Sequence, residues 1–150
     1  MNKYSLIVFP LVIFDLVSKF LANRYLIKDY YMFNNQVGLE LTYNTGIAWG
    51  FLSGHARYTL FLSFGVLIWL VREIVINDET ENTLPLYLIL SGALGNIIER
   101  TYGLIIGNNG RVTDFFVLGP IPNFNIADAL ISIGLAYLIY SELRLSLIHI

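Results

Sequence analysis

The sequence predicts a mainly α-helical integral membrane protein: four transmembrane helices with a small β-containing element between the first two. Three observations carry this. Of the 150 residues, 56% are hydrophobic and only 13% are charged, against about 25% charged in an ordinary soluble domain. Four apolar stretches, at residues 4–27, 56–76, 83–106 and 124–148, are each long enough to cross about 30 Å of hydrocarbon. Between the first two, Val37-Gly38-Leu39-Glu40-Leu41-Thr42-Tyr43 alternates with period two, the pattern of a strand. Mean hydropathy is +0.64, and the length makes residues 1–150 a single membrane-embedded domain.

Composition also excludes chemistry. The net charge is −2 and the nine basic residues form no run, so nucleic acid is not an expected partner. With no cysteine there is no disulfide, thiolate or cysteine-ligated metal. Two distant histidines, His55 and His149, give little support to a zinc site or a Ser/His triad. No metal and no cofactor is expected.

The first span has the look of a signal peptide, Lys3 followed by an apolar run. Asp15 and Lys19 interrupt it and no small-x-small cleavage site follows, so a retained helix is expected. Asp15 and Lys19 stand at i and i+4 on one face, acid first, the favourable order for an ion pair. Residues 28–55 are polar and aromatic, as suits an interfacial element with tyrosines and Trp49 at the membrane surface. Asn44-Thr45-Gly46 and the glycine at 50 read as a tight turn, with Asn44 and Gly46 as candidate donors to a bound backbone.

The second span is uncharged until Arg72-Glu73 and reads as scaffold, followed by an acidic hairpin loop, Asn77 to Asn82. In the third, Ser91 and Gly95 make a small-xxx-small pair that lets another helix come close. Gly92, Asn96 and Arg100 share one face at i, i+4 and i+8, with Glu99 beside them. A connection from Thr101 to Asn109 leads to Gly110-Arg111-Val112-Thr113-Asp114. A loop with Pro120 and Pro122 follows, and then the fourth span, which opens on Phe124-Asn125-Ile126-Ala127-Asp128.

Spans of alternating direction bring the end of the first, the end of the third and the start of the fourth to one membrane face. Asp15, Lys19, Asn44, Asn96, Arg100, Asp114, Asn125 and Asp128 all gather there. An ionisable residue at membrane depth is costly and marks a functional site by default. Asp114 and Asp128, brought within hydrogen-bond reach, would share one proton. The ionised acid then takes a proton from water while the protonated one polarises a carbonyl. Asn96 and Asn125 are candidates to orient the pair, and Lys19 or Arg100 to balance charge. Loop charge leaves orientation open. Lys3, Arg72 and Arg144 lie on the terminal side against Lys19, Arg24, Lys28, Arg57, Arg100 and Arg111 on the other, and discounting Lys19 and Arg100 leaves three against four.

Five motifs stand in order along the chain: Asp15-x-x-Ser18-Lys19, Asn44-x-Gly46-x-Ala48, Gly92-Ala93-x-Gly95-Asn96-x-x-Glu99-Arg100, Gly110-x-Val112-x-Asp114-Phe115 and Phe124-Asn125-x-Ala127-Asp128. In this the chain resembles the lipoprotein signal peptidases (type II, or prolipoprotein, signal peptidases), aspartic peptidases of bacterial inner membranes. The resemblance implies that Asp114 and Asp128 are the catalytic dyad, with Asp15, Lys19, Asn44, Gly46, Asn96, Arg100 and Asn125 as substrate-binding or supporting residues. It implies removal of the signal peptide from diacylglyceryl-modified prolipoproteins, by cleavage just before the lipidated cysteine. It implies four helices with an extracytoplasmic β-cradle, both termini cytoplasmic, the dyad toward the outer leaflet of the inner membrane, and inhibition by globomycin-type cyclic peptides. Ser91 and Glu99 depart from the family's more frequent glycine and aspartate, and the connection from Arg100 to Asp114 is a little long. The competing classes are a small proton-coupled transporter and a non-catalytic lipoprotein-binding membrane protein.

Overall fold

The computed structural model describes residues 3–46, 54–77 and 83–148. Positions 47–53, with Trp49, the acidic loop 78–82 and His149 lie outside the described residues. Four long helices carry the chain: α1 (Ser5–Tyr25), α2 (Ala56–Ile76), α3 (Leu84–Ile105) and α4 (Ile126–Ile148). Helices α1 and α2 are 21 residues each with a hydropathy of 2.0, long and apolar enough to cross a membrane. Helices α3 and α4 are of similar length, 22 and 23 residues. Pro10 lies inside α1, a placement that membrane helices tolerate because neighbouring groups satisfy the freed carbonyl. Pro85 sits in the first turn of α3, where its missing N–H costs nothing.

The outward faces are apolar. Phe9, Phe20, Phe61, Ile68 and Val75 are each at least 66% exposed, a surface that suits hydrocarbon better than water. Inside, Leu70 and Ile74 of α2 pack on Leu86, Tyr87 and Ile89 of α3. Helix α3 is central and touches each of the other three helices. Where helices pack in lipid, small residues let backbones approach, and α3 supplies them at Ser91, Gly92 and Gly95, all buried. A Cβ on Gly92 would collide with the carbonyl oxygen of Ala127, and one on Gly95 with the carboxylate of Asp15. These two glycines therefore hold α4 and the Asp15 side chain against α3.

One antiparallel sheet, in the order β1-β2-β3-β4, caps one end of the bundle. Its strands are β1 (Tyr30–Met32), β2 (Val37–Asn44), β3 (Val112–Leu118) and β4 (Ile121–Phe124). The sequence places β structure only between the first two spans. The structure corrects this: half of the sheet comes from the connection between α3 and α4. Strand β3 lacks a period-two signal because Val112, Thr113, Asp114 and Phe115 are all buried, and a strand covered on both faces reads as a continuous run. The Pro-containing stretch read as a loop is the β3–β4 hairpin, turned at Gly119 (φ +54°), whose N–H donates to Gln36 O at 2.6 Å. Asp114 thus stands on an inner strand, paired opposite Thr42.

Gly92→Ala tests the close approach of α3 and α4. Helix propensity alone favours Ala over Gly by about 1 kcal/mol, so packing and propensity oppose each other here. The expected outcome is a loss of about 1–3 kcal/mol, read as a lower unfolding temperature in detergent. An unchanged or higher temperature would contradict the packing.

Candidate active site

Asp15 and Lys19 on α1 are 0% and 2% exposed. Lys19 Nζ meets Asp15 Oδ2 at 2.8 Å and Glu99 Oε2 at 3.3 Å, and donates to Asn96 Oδ1 at 2.7 Å. Its three partners come from two helices, and each passes the constraint on. Asp15 Oδ1 accepts the N–H of Ala127 at 2.8 Å, satisfying one of the orphan amides in the first turn of α4. Asn96 Nδ2 donates to Asp128 Oδ1 at 2.9 Å. A lysine only donates and a carboxylate only accepts, so the amide between them has one sensible orientation, oxygen to Lys19 and nitrogen to Asp128.

Glu99 works on the other acid. Its carboxylate accepts the Thr113 N–H at 3.1 and 3.2 Å and the Thr113 hydroxyl at 2.7 Å, which pins β3 one residue before Asp114. The Thr113 hydroxyl also accepts from Asn23 Nδ2 at 2.7 Å, and Tyr43 OH donates to Asn23 Oδ1 at 2.9 Å.

Asn125 holds both acids at once. Its Nδ2 donates to Asp114 Oδ1 at 2.6 Å. Its Oδ1 accepts the Asp128 N–H at 2.9 Å, and its own N–H donates to Asp128 Oδ2 at 3.3 Å. The last two bonds form a capping box at the start of α4, so the device that begins the helix also orients Asp128. Asn125 is fully buried and Asp114 is 3% exposed. Burial, and after it the charge of Asp128, push the Asp114 carboxyl up to about 7, against hydrogen bonds from Asn125 and Asn44 and the charge of Lys19. Asp114 is thus protonated for part of the time at neutral pH.

Every predicted site residue is at this end of the bundle, and Gly46 is the one that acts differently from expectation. Arg100 donates to three backbone carbonyls, Gly46 at 2.8 Å, Gly110 at 3.0 Å and Thr45 at 3.2 Å. It ties the loop after β2 to the loop before β3, and its charge also acts on Asp114 and Asp128. Gly46 N–H donates to Asn44 Oδ1 at 2.8 Å, so that amide is already used within the turn, while the side chain of Asn44 favours the ionised form of Asp114. Thr113, Asn23 and Tyr43 are not among the residues the sequence singles out for the site, and Glu99 stands there only as a neighbour of Asn96 and Arg100. A signal for Asn23 was present: Asp15, Lys19 and Asn23 recur at i, i+4 and i+8 along an apolar span.

A cavity of about 540 Å³ opens on the two acids, walled by Leu62, Val66, Ile131 and Leu135 and floored by Asn44, Asn96, Asp114 and Asp128. Two acids at the floor of one apolar cavity make this the candidate site for acid–base chemistry.

Comparison with known proteins agrees with that class. The family model for signal peptidase (SPase) II matches residues 7–144. A lipoprotein signal peptidase of Burkholderia ambifaria is 37% identical over 141 residues, covering 89% of this chain and 82% of the relative. One from Burkholderia cenocepacia is 39% identical over 144 residues, with the same coverage. A bacterial membrane enzyme solved by the in meso method at 2.3 Å resolution superposes with a TM-score of 0.79 at 30% identity, covering 96% of this chain and 93% of that one. The chain belongs to the signal peptidase II family, and it is a peptidase.

Removing the central cation tests the network. Lys19→Met would leave the fully buried Asp15 without its cation, and is expected to cost about 3–5 kcal/mol, measured by unfolding in detergent. A loss below about 1 kcal/mol, the value of an exposed pair, would contradict the account.

Proposed function

We propose that this chain is a membrane aspartic endopeptidase that removes the signal peptide from diacylglyceryl-modified prolipoproteins, cleaving on the N-terminal side of the lipidated cysteine. The observation that carries the reading is the joint hold of Asn125 on Asp114 and Asp128 at the floor of an apolar cavity. Family membership supports the reaction class. The apolar walls favour a lipid-modified, hydrophobic substrate over a soluble peptide.

In the proposed reaction a water sits between the two acids and the scissile carbonyl. Asp128 takes a proton from the water as its oxygen bonds to the carbonyl carbon, and protonated Asp114 donates to the carbonyl oxygen. The tetrahedral intermediate collapses with cleavage of the C–N bond. The proton held by Asp128 goes to the leaving amine, and Asp114 recovers its own. Asn96 and Asn125 keep the two carboxyls in register throughout, so no covalent enzyme intermediate is required. All four helices cross the bilayer in this reading, both termini are cytoplasmic, and the cavity lies toward the outer leaflet of the bacterial inner membrane. Cyclic peptides of the globomycin type would compete for the same cavity.

Purified protein in lipid vesicles should release the signal peptide from a lipidated precursor, and Asp114→Asn or Asp128→Asn should lower kcat by about 10³-fold or more while the variants still insert and unfold cooperatively. Full activity in either variant would sink the proposal. The pH profile adds a sign. Asp114 is raised from 3.8 to about 7, so the folded protein binds more protons than the unfolded chain across that window. Stability contributed by this group therefore falls as pH rises through it. The activity that needs its proton should likewise be present below about pH 7 and lost above, seen as an alkaline limb in kcat/KM. A profile flat to pH 9 would contradict the assignment of the acid to Asp114.

A further inference from the structure

Asp114 is reached from two directions. Besides the apolar cavity among the helices, a groove of about 420 Å³ on the sheet approaches it, lined by Glu40, Thr42, Tyr43, Asn44, Thr45 and Asn123 among others. The two spaces share Asn44, Asp114, Pro122 and Asn123, so they meet at the carboxyl proposed to act on the scissile carbonyl. Their chemistries are opposite. One is walled by leucine, valine and isoleucine, the other by hydroxyls, amides and, besides the shared Asp114, one carboxylate. A chain lying through both would be apolar on one side of Asp114 and polar on the other.

The strand pairing explains why the groove is there. In β2, Leu39 pairs with Phe116 but Thr42 pairs with Asp114, so Glu40 and Leu41 together oppose Phe115 alone. This is a β-bulge, which interrupts the ladder and re-aims side chains and is common beside functional sites. Glu40 is the groove's one fixed charge besides Asp114. Its Oε2 accepts the Tyr31 hydroxyl at 2.9 Å, which steadies it without neutralising it. Among the described residues no lysine or arginine pairs with it, the ion pairs being those of Lys19 and Arg72.

We propose that this groove binds the polypeptide segment that follows the cleaved bond, and that Glu40 makes it select for cationic side chains, lysine or arginine, in that segment. The inference rests on the peptidase reading and deepens it. The apolar cavity takes the part of the substrate that belongs in the membrane, and the groove takes the part that leaves it. For an acid partly open to water, attraction of a cationic segment and repulsion of an anionic one together reach roughly tenfold.

The test uses the full-length protein in vesicles and three lipidated precursors that differ only at the second and third residues after the scissile bond: Lys-Lys, Ser-Ser and Asp-Asp. The wild type should show kcat/KM in the order Lys, Ser, Asp, spanning about tenfold and carried by KM, with the span narrowing in high salt. Glu40→Gln should bring the three close to equal, and Glu40→Lys should reverse the order. The readout is a ratio among precursors within each variant, so partial misfolding cancels. Equal cleavage of all three by the wild type, or an order that survives in Glu40→Gln, would overturn the groove assignment while leaving the peptidase reading intact. Cleavage of none of them by the wild type would overturn both.

Discussion

The site depends on one buried ammonium. Lys19 is 2% exposed, and taking such a charge out of water costs several kcal/mol unless its partners are well placed. Its three partners are Asp15, Asn96 and Glu99, matching the three protons of the group. Each then reaches a different part of the site: Asp15 the first turn of α4, Asn96 the carboxylate of Asp128, Glu99 the backbone before Asp114. A network of this kind is weak evidence for extra stability, because an apolar core of the same shape does as well. What it contributes here is position. It ties α1, α3, α4 and β3 together at the depth where two acids must face one cavity.

The second economy is at Asn125. A helix start needs its exposed N–H groups satisfied, and α4 meets that need with a capping box made of Asn125 and Asp128. The remaining donor of the same amide bonds Asp114. Local helix chemistry and the geometry of the site are thus one set of bonds. Close packing serves the same end, since Gly95 leaves the room that the Asp15 carboxylate occupies beside α3.

Much of this could be read in advance because its signals are local. Asp15 and Lys19 announce themselves by i,i+4 spacing in an apolar run, and Asn125 and Asp128 by i,i+3 spacing at a helix start. The helical content follows from hydropathy, and the first half of the sheet from alternation in Val37 to Tyr43. What was missed has non-local causes. Strand β3 is buried on both faces and lost its period. Thr113 and Tyr43 matter through partners from 14 to 90 positions away. Arg100 reads as a counter-charge and its charge does act on both acids; only the fold reveals that it also donates to three backbone carbonyls.

The central proposal is that the two carboxyls at one cavity share a proton near neutral pH, with Asp114 as its carrier. Infrared difference spectroscopy of protein labelled with ¹³C-carboxyl aspartate measures this directly. The account predicts a protonated aspartate band at pH 6 that bleaches with a midpoint near 7 and is absent from Asp114→Asn. No protonated aspartate at pH 6, or a band that persists in Asp114→Asn, would contradict it.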